Sequence, residues 1–141
     1  MGIEEFMRAY KQAWETKDEA AFCALFTPDG LYHNTPFATQ RGRAQLAAYW
    51  QRIKLQDDIE LRFEVLASTP DSGIAHWHVS YQVASEELFQ IWAASTGTNQ
   101  IAREPGDPLP RMTLDGVLQA FFRDGLCREC QLWWHSMPEP T

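Results

Sequence analysis

Cysteine is scarce in this chain. Cys23, Cys127 and Cys130 are the only three, an odd number that does not suggest a disulfide framework. Basic clusters are missing altogether. Twelve Lys and Arg stand against 19 Asp and Glu, for a net charge of −7 and a pI near 5.0. No basic patch is therefore present to hold a nucleic acid, and anionic membranes and other polyanions are disfavoured partners. No apolar run approaches the roughly 18 residues that a membrane helix needs. The start, Met1-Gly2-Ile3-Glu4-Glu5, is acidic and lacks the basic-then-apolar layout of a signal peptide, so a cytoplasmic location is the expectation. Internal repeats and low-complexity tracts are also lacking.

What is present is apolar and aromatic. Apolar residues make up 45% of the 141 positions and aromatics 13%, with six Trp. That is the composition of one compact domain spanning residues 1–141. Ile3, Phe6, Met7, Tyr10, Ala13 and Trp14 follow the three-four spacing of a buried helical face. Asp18 suits the N-cap of a short second helix carrying Phe22, Leu25 and Phe26, and Pro28-Asp29-Gly30 is expected to end it. A first strand is expected over about 31–35, and a third helix from about Arg43 to Ile53.

The period then changes. Ile59, Leu61, Phe63 and Val65 alternate with Glu60, Arg62 and Glu64, the pattern of a half-buried strand. After a turn at Thr69-Pro70-Asp71-Ser72-Gly73, three more strands are expected over 74–84, 112–122 and 126–134. Asp124-Gly125 forms the last hairpin. Helices first and an antiparallel meander after predict an α+β domain. The segment from about 85 to 111 interrupts this order. Leu88, Ile91 and Trp92 have helical spacing behind Ser85-Glu86-Glu87, and Thr96 to Pro110 reads as a loop. A helix this short must pack on something to persist, and the mouth of a pocket is the expected surface, with Trp92 at its rim.

Tyr32 and Asn34 lie two apart on the first strand, so they point to the same side and suggest a pocket wall. Cys127-Arg128-Glu129-Cys130 lies on a strand, where its thiols are expected to face opposite sides, and it reads as a chance spacing rather than a redox motif.

Several stretches together carry a family resemblance. They are Ala13-Trp14-Glu15, Asp18, Ala24-Leu25-Phe26, Asp29-Gly30-x-Tyr32-His33-x-Thr35-Pro36-Phe37, Arg41-Gly42-Arg43, Tyr49-Trp50, Leu114-Asp115-Gly116, Phe122-x-Asp124-Gly125-x-Cys127-Arg128-Glu129 and Trp133-Trp134-His135. With the order of elements, the chain resembles the nuclear transport factor 2-like superfamily, in particular its SnoaL-like branch. The resemblance implies a cone: a curved antiparallel sheet wrapped around the N-terminal helices, with a central pocket, in a fold that often dimerises through the outer sheet face. It hosts ketosteroid isomerases, limonene epoxide hydrolases, scytalone dehydratases and polyketide cyclases, so fold leaves function open.

Carried over position by position, the resemblance implies an inward set. Tyr10 matches the oxyanion tyrosine of the ketosteroid isomerases, but the carboxylates of that family fall at Asn34 or Thr35 and at Val117. Tyr32 and Asn34 match the water-holding pair of the epoxide hydrolases, whose acid and base fall near Val79, Tyr81 and Leu132. The pocket is then expected to receive Trp14, Trp50, Trp77, Tyr81, Val117, Gln119 and Trp134, with Trp92 from the inserted helix. Asp115 is expected to be its one carboxylate and the acid–base group. Gly116, Leu118, Ala120 and Phe122 are expected on the outer face as a dimerising apolar stripe. His76 and His78, with His33 and His135, are expected to face outward as surface or interface residues; no metal site and no cofactor are expected.

Two functions remain open on these residues. One is a cofactor-free isomerase, dehydratase, cyclase or hydrolase acting on a small apolar or aromatic molecule, with Asp115, Tyr10, Tyr32, Asn34 and Tyr81 as its catalytic groups. The other is a non-catalytic ligand-binding or dimerisation domain on the same cone. A titratable group within reach of a bound molecule discriminates them.

Overall fold

The computed structural model describes residues 1–96 and 106–139. The loop expected over Thr96 to Pro110 therefore falls largely outside the described residues. Ile3–Glu15 forms the first helix (α1), with the six residues of the predicted face all buried. Glu19–Ala24 is α2, capped as expected by the Asp18 carboxylate accepting from the Ala21 N–H at 3.0 Å. Gly42–Trp50 is α3, followed by a single 3-10 turn at Ile53–Leu55. The inserted helix α4 covers Glu86–Thr96, and the Ser85 hydroxyl accepts the Leu88 N–H at its start.

The strands are Phe26–Thr35 (β1), Ala38–Arg41 (β2), Gln56–Thr69 (β3), Ser72–Val83 (β4), Arg111–Arg123 (β5) and Leu126–Pro138 (β6). They form one sheet in the order β2-β1-β6-β5-β4-β3. The meander from β3 to β6 is antiparallel, but β1 joins β6 in parallel, so the sheet is mixed and open. Apolar alternation marks a strand and which face it buries, but not the direction of its neighbour. The first strand also starts five residues early, at Phe26. Pro28-Asp29-Gly30 lies inside it, where its register against β6 slips between Phe26 and Leu31. β2 is a four-residue edge strand whose alternation is too short to stand out in the sequence.

Packing follows from the inner apolar face. α1 lies on β3 and β4, and α3 on β1. Phe22 stacks on Trp50 with ring centroids 4.1 Å apart, and Tyr10, Phe26 and Tyr32 surround Phe22 edge to face or tilted, with Phe6 edge to face on Phe26. Such pairs add to plain area burial. Trp50 is fully buried in this cluster and not in the cavity wall. Aromatic content foretold its burial; its helix neighbours decided where.

The parity expected for β5 is reversed. Trp77 pairs with Gly116 and His78 with Asp115, so the inward side chains are Met112, Leu114, Leu118, Ala120 and Phe122. Asp115, Val117 and Gln119 point to the outer face. The reason is elementary: a strand with one solvated face turns its apolar alternation to the core. The supposed outer stripe is the inner face. Gly116 belongs to it, where a Cβ would overlap the Trp134 Cβ at 2.7 Å.

Bulges explain two further departures. On β6 the partner of Phe121 is Glu129 and that of Phe122 is Cys127, so Arg128 is an extra residue. Cys127 and Cys130 consequently both face inward, fully buried, instead of opposing each other. On β3, Asp58 has φ 49° and the register slips between Asp57 and Glu60. The Arg111 guanidinium holds this bulge through the Asp58 carboxylate and carbonyl, both at 2.9 Å. Gln56 therefore turns inward together with Ile59 and Leu61, which a regular strand would forbid.

Candidate functional site

A cavity of about 60 Å³ lies between the inner sheet face, the end of α3 and α4. Trp14 from α1, Asn34 from β1, Trp77 and Tyr81 from β4, and Leu132 and Trp134 from β6 line it. Leu88, Ile91 and Trp92 of α4 close it on another side. Leu114, Tyr49, Arg52, Ile53 and Gln56 complete the wall. Asn34, Thr35, Arg52 and Trp134 also border an open groove of about 530 Å³ that runs along the β1–β2 turn past Phe37 and Gln40. These four residues thus form the shared border of groove and cavity.

The polar geometry is specific. The Trp14 indole donates to the Gln56 carbonyl at 2.7 Å, the Trp134 indole to the Asn34 backbone carbonyl, and the Gln40 amide to the Asn34 side chain at 3.3 Å. The Trp77 indole N–H is buried without a partner among the described residues. Arg52 lies over the Tyr49 ring, 4.6 Å from its centroid. Burial raises the Tyr81 and Tyr49 phenols above the usual tyrosine range, the Arg52 charge opposing this at Tyr49. Both are neutral hydroxyls at neutral pH.

Tyr10 and Tyr32 do not reach the cavity. Their hydroxyls are 2.5 Å apart in the core behind it. Burial pushes both phenols well above the ordinary range, so neither is a base near neutral pH. Burial likewise raises the Cys130 thiol well above its usual range, making it a poor thiolate source.

Asp115 stands on the opposite side of the sheet. The two His76 and His78 rings meet its two carboxylate oxygens at 2.9 and 3.0 Å, and Glu64 sits 3.4 Å from the far side of His76. Partial burial would raise the Asp115 carboxyl, but the two His hydrogen bonds outweigh it and hold the group below the usual carboxylate range. The bond to Asp115 raises His76 above an ordinary histidine. His33 is held between Thr39 and Glu129, each at 2.9 Å. The outward parity expected of His76 and His78 is the observed one. Among the described residues, no group of three or more His, Cys, Asp or Glu has metal-binding geometry.

Val117 and Gln119 share the outer face with Asp115 and line no part of the cavity. Arg52 and Gln56 are cavity residues that sequence reasoning missed. Arg52 follows a helix that stops three residues earlier than its apolar spacing suggests, and Gln56 depends on the bulge at Asp58. Neither departure has a local sequence signal. Among the described residues, no carboxylate lines the cavity or the groove.

Helices packed over the inner face of one open six-stranded sheet, with an aromatic-walled cavity between them, define an α+β cone. The chain belongs to the SnoaL-like domain family, whose model matches residues 7–129, within the nuclear transport factor 2-like superfamily that the resemblance indicated. No curated protein matches it in sequence. Solved structures share the fold at low identity. One, from Xanthomonas campestris pv. campestris and named for the polyketide cyclases, is 18% identical with a TM-score of 0.67, covering 94% of this chain and 89% of its own. The epoxide hydrolase/cyclase-like enzyme SalBIII of pyran ring formation in salinomycin is 13% identical, with a TM-score of 0.67 and coverage of 94% and 89%. An LEH-like epoxide hydrolase of M. tuberculosis is 14% identical, with a TM-score of 0.64 and coverage of 93% and 80%.

Proposed function

We propose that this chain binds a small, predominantly apolar or aromatic molecule in the cavity, and that α4 is the lid over it. One observation carries the reading: Leu88, Ile91 and Trp92 occupy the wall of a chamber of about 60 Å³. A cavity of ~150 Å³ is known to admit a benzene ring, so a ring-sized ligand requires these side chains to move outward. α4 is the helix placed to do so, since it rests on β4 and on the Trp92–Ser136 hydrogen bond. A seated lid excludes water and strengthens each polar contact beneath it.

The test is a fluorescence titration of the chain with naphthalene, toluene and indole, repeated after replacing residues 87–108 by a short turn. Saturable quenching in the full chain, weakened in the shortened but folded one, is the expected result. Equal binding by both would overturn the lid. No binding by either at millimolar ligand would overturn the pocket.

Turnover is a second reading, favoured by the cyclase and epoxide hydrolase names of the structural neighbours. It takes the form of a cofactor-free isomerase, dehydratase, cyclase or hydrolase. Its polar groups would be the Tyr49 and Tyr81 hydroxyls, Asn34, Gln56 and Arg52, acting as hydrogen-bond donors to developing negative charge. Asp115 has no part in it, because the sheet lies between its carboxylate and the cavity. A homodimer through the outer sheet face rests on exposed Trp133 and Met137 beside the His76–Asp115–His78 cluster.

A further inference from the structure

We infer that the ligand of this cavity is an organic anion, an apolar body bearing one carboxylate or equivalent anionic oxygen, with Arg52 as the residue that meets its charge. The inference rests on the pocket reading above and deepens it.

Arg52 borders both the inner cavity and the outer groove, so it stands on their shared wall. Its guanidinium carbon lies over the Tyr49 ring, 4.6 Å from the centroid, and it forms no ion pair with any described carboxylate. Seven other cations, Arg8, Lys11, Lys17, Lys54, Arg111, Arg123 and Arg128, sit within 4.0 Å of an acidic oxygen. Arg41, Arg43 and Arg62 also lack a described ion pair, but of these four only Arg52 lines the cavity. Stacking on an aromatic face leaves the in-plane N–H groups of a guanidinium open to a carboxylate's two oxygens.

The rest of the wall agrees in sign. An indole nitrogen can only donate, so the Gln56 atom facing Trp14 Nε1 is its carbonyl oxygen, and the amide NH₂ remains as a donor. The Trp77 N–H is a second buried donor on a cavity-lining residue, and no described residue accepts from it; the Trp50 N–H shares this state in the core, away from the cavity. Buried donors without acceptors destabilise a fold unless something else satisfies them. An apolar ligand with an anionic oxygen supplies the acceptor that the wall lacks, and no described acid lines the wall to repel it.

The experiment compares benzoate and 2-naphthoate with their neutral counterparts, benzyl alcohol and 2-naphthalenemethanol, by calorimetric titration of the full chain and of Arg52→Gln and Arg52→Lys. The thermal midpoint of each variant is measured alongside. The wild type should bind each anion about tenfold or more tightly than its neutral partner. Arg52→Gln should erase that ratio while leaving the neutral affinities in place, and Arg52→Lys should restore part of it. A merely structural arginine would weaken both ligand types together, which overturns the inference, as does an unchanged ratio in Arg52→Gln. If Arg52→Gln does not fold, the wild-type ratio decides: neutral ligands binding as well as anions overturns the inference and leaves the pocket reading standing. No binding by any of the four overturns both.

Discussion

The indole N–H of Trp92 donates to the hydroxyl of Ser136, and both residues are buried. This bond ties the inserted helix to the end of the last strand, across the wall of the cavity. Ser136→Ala removes the acceptor and leaves the indole donor without this partner. We expect a loss of about 1 kcal/mol in urea unfolding, with faster amide exchange in Glu86–Ile91 and unchanged exchange in β4 and β5. Unchanged exchange in α4 would show that the bond does not hold the helix in place.

Tyr10→Phe tests whether the buried phenol pair serves the fold or the ligand. The Tyr10 and Tyr32 hydroxyls satisfy one another 2.5 Å apart, away from the cavity wall. Removing the Tyr10 hydroxyl takes one partner from Tyr32 and leaves it Tyr49, at a cost of about 1 kcal/mol. Ligand affinity should stay within a factor of about two. A large affinity loss at unchanged stability would place the pair in the site.

The outer cluster makes stability depend on pH in a defined window. His76 is raised above its ordinary value of 6.5, so its contribution is complete below 6.5 and disappears as pH rises through the folded value. Asp115 is lowered below its ordinary 3.8, so its contribution is complete above 3.8 and disappears as pH falls through the folded value. The pair therefore stabilises most between about pH 4 and 6.5. Asp115→Asn should lower the thermal midpoint most in that interval and less at pH about 8.5. Both groups are largely exposed, so salt should shrink the difference. A midpoint difference independent of pH would contradict the assignment.

Trp133→Ser with Met137→Ser tests the outer face as a contact between two copies. These side chains are 44% and 59% exposed on a folded sheet, so their removal should leave the thermal midpoint of the monomer almost unmoved. Light scattering at tens of micromolar should change from dimer to monomer. A wild type that is already monomeric at that concentration removes the proposal.

Local patterns carried most of the elements. The three-four spacing from Ile3 to Trp14 named a helix and its buried face, and Asp18 named the cap of the next. The inserted helix with Leu88, Ile91 and Trp92 was legible for the same reason: a face of three apolar residues on so short a helix needs a surface to cover. The inward faces of β1, β4 and β6 were legible too, because Tyr32, Trp77, Tyr81 and Leu132 sit in regular alternation.

What the sequence by itself determined was an acidic α+β fold, its family, and the buried faces of α1, β1 and β4, because periodicity and apolar content are properties of the chain alone. Tertiary structure decided the rest. The side of the sheet taken by Asp115 depended on the register of β5 against Trp77 in β4, and the parallel partner of β1 on a strand a hundred residues away. Gln56 entered the cavity through a bulge held by Arg111 from another strand, and Arg128 slipped β6 so that both buried thiols turned inward. A strand alternates with a period of two, so one extra residue or one reversed pairing moves a whole set of side chains from one face to the other. The pairing energy that selects between them lies in contacts between segments distant in sequence.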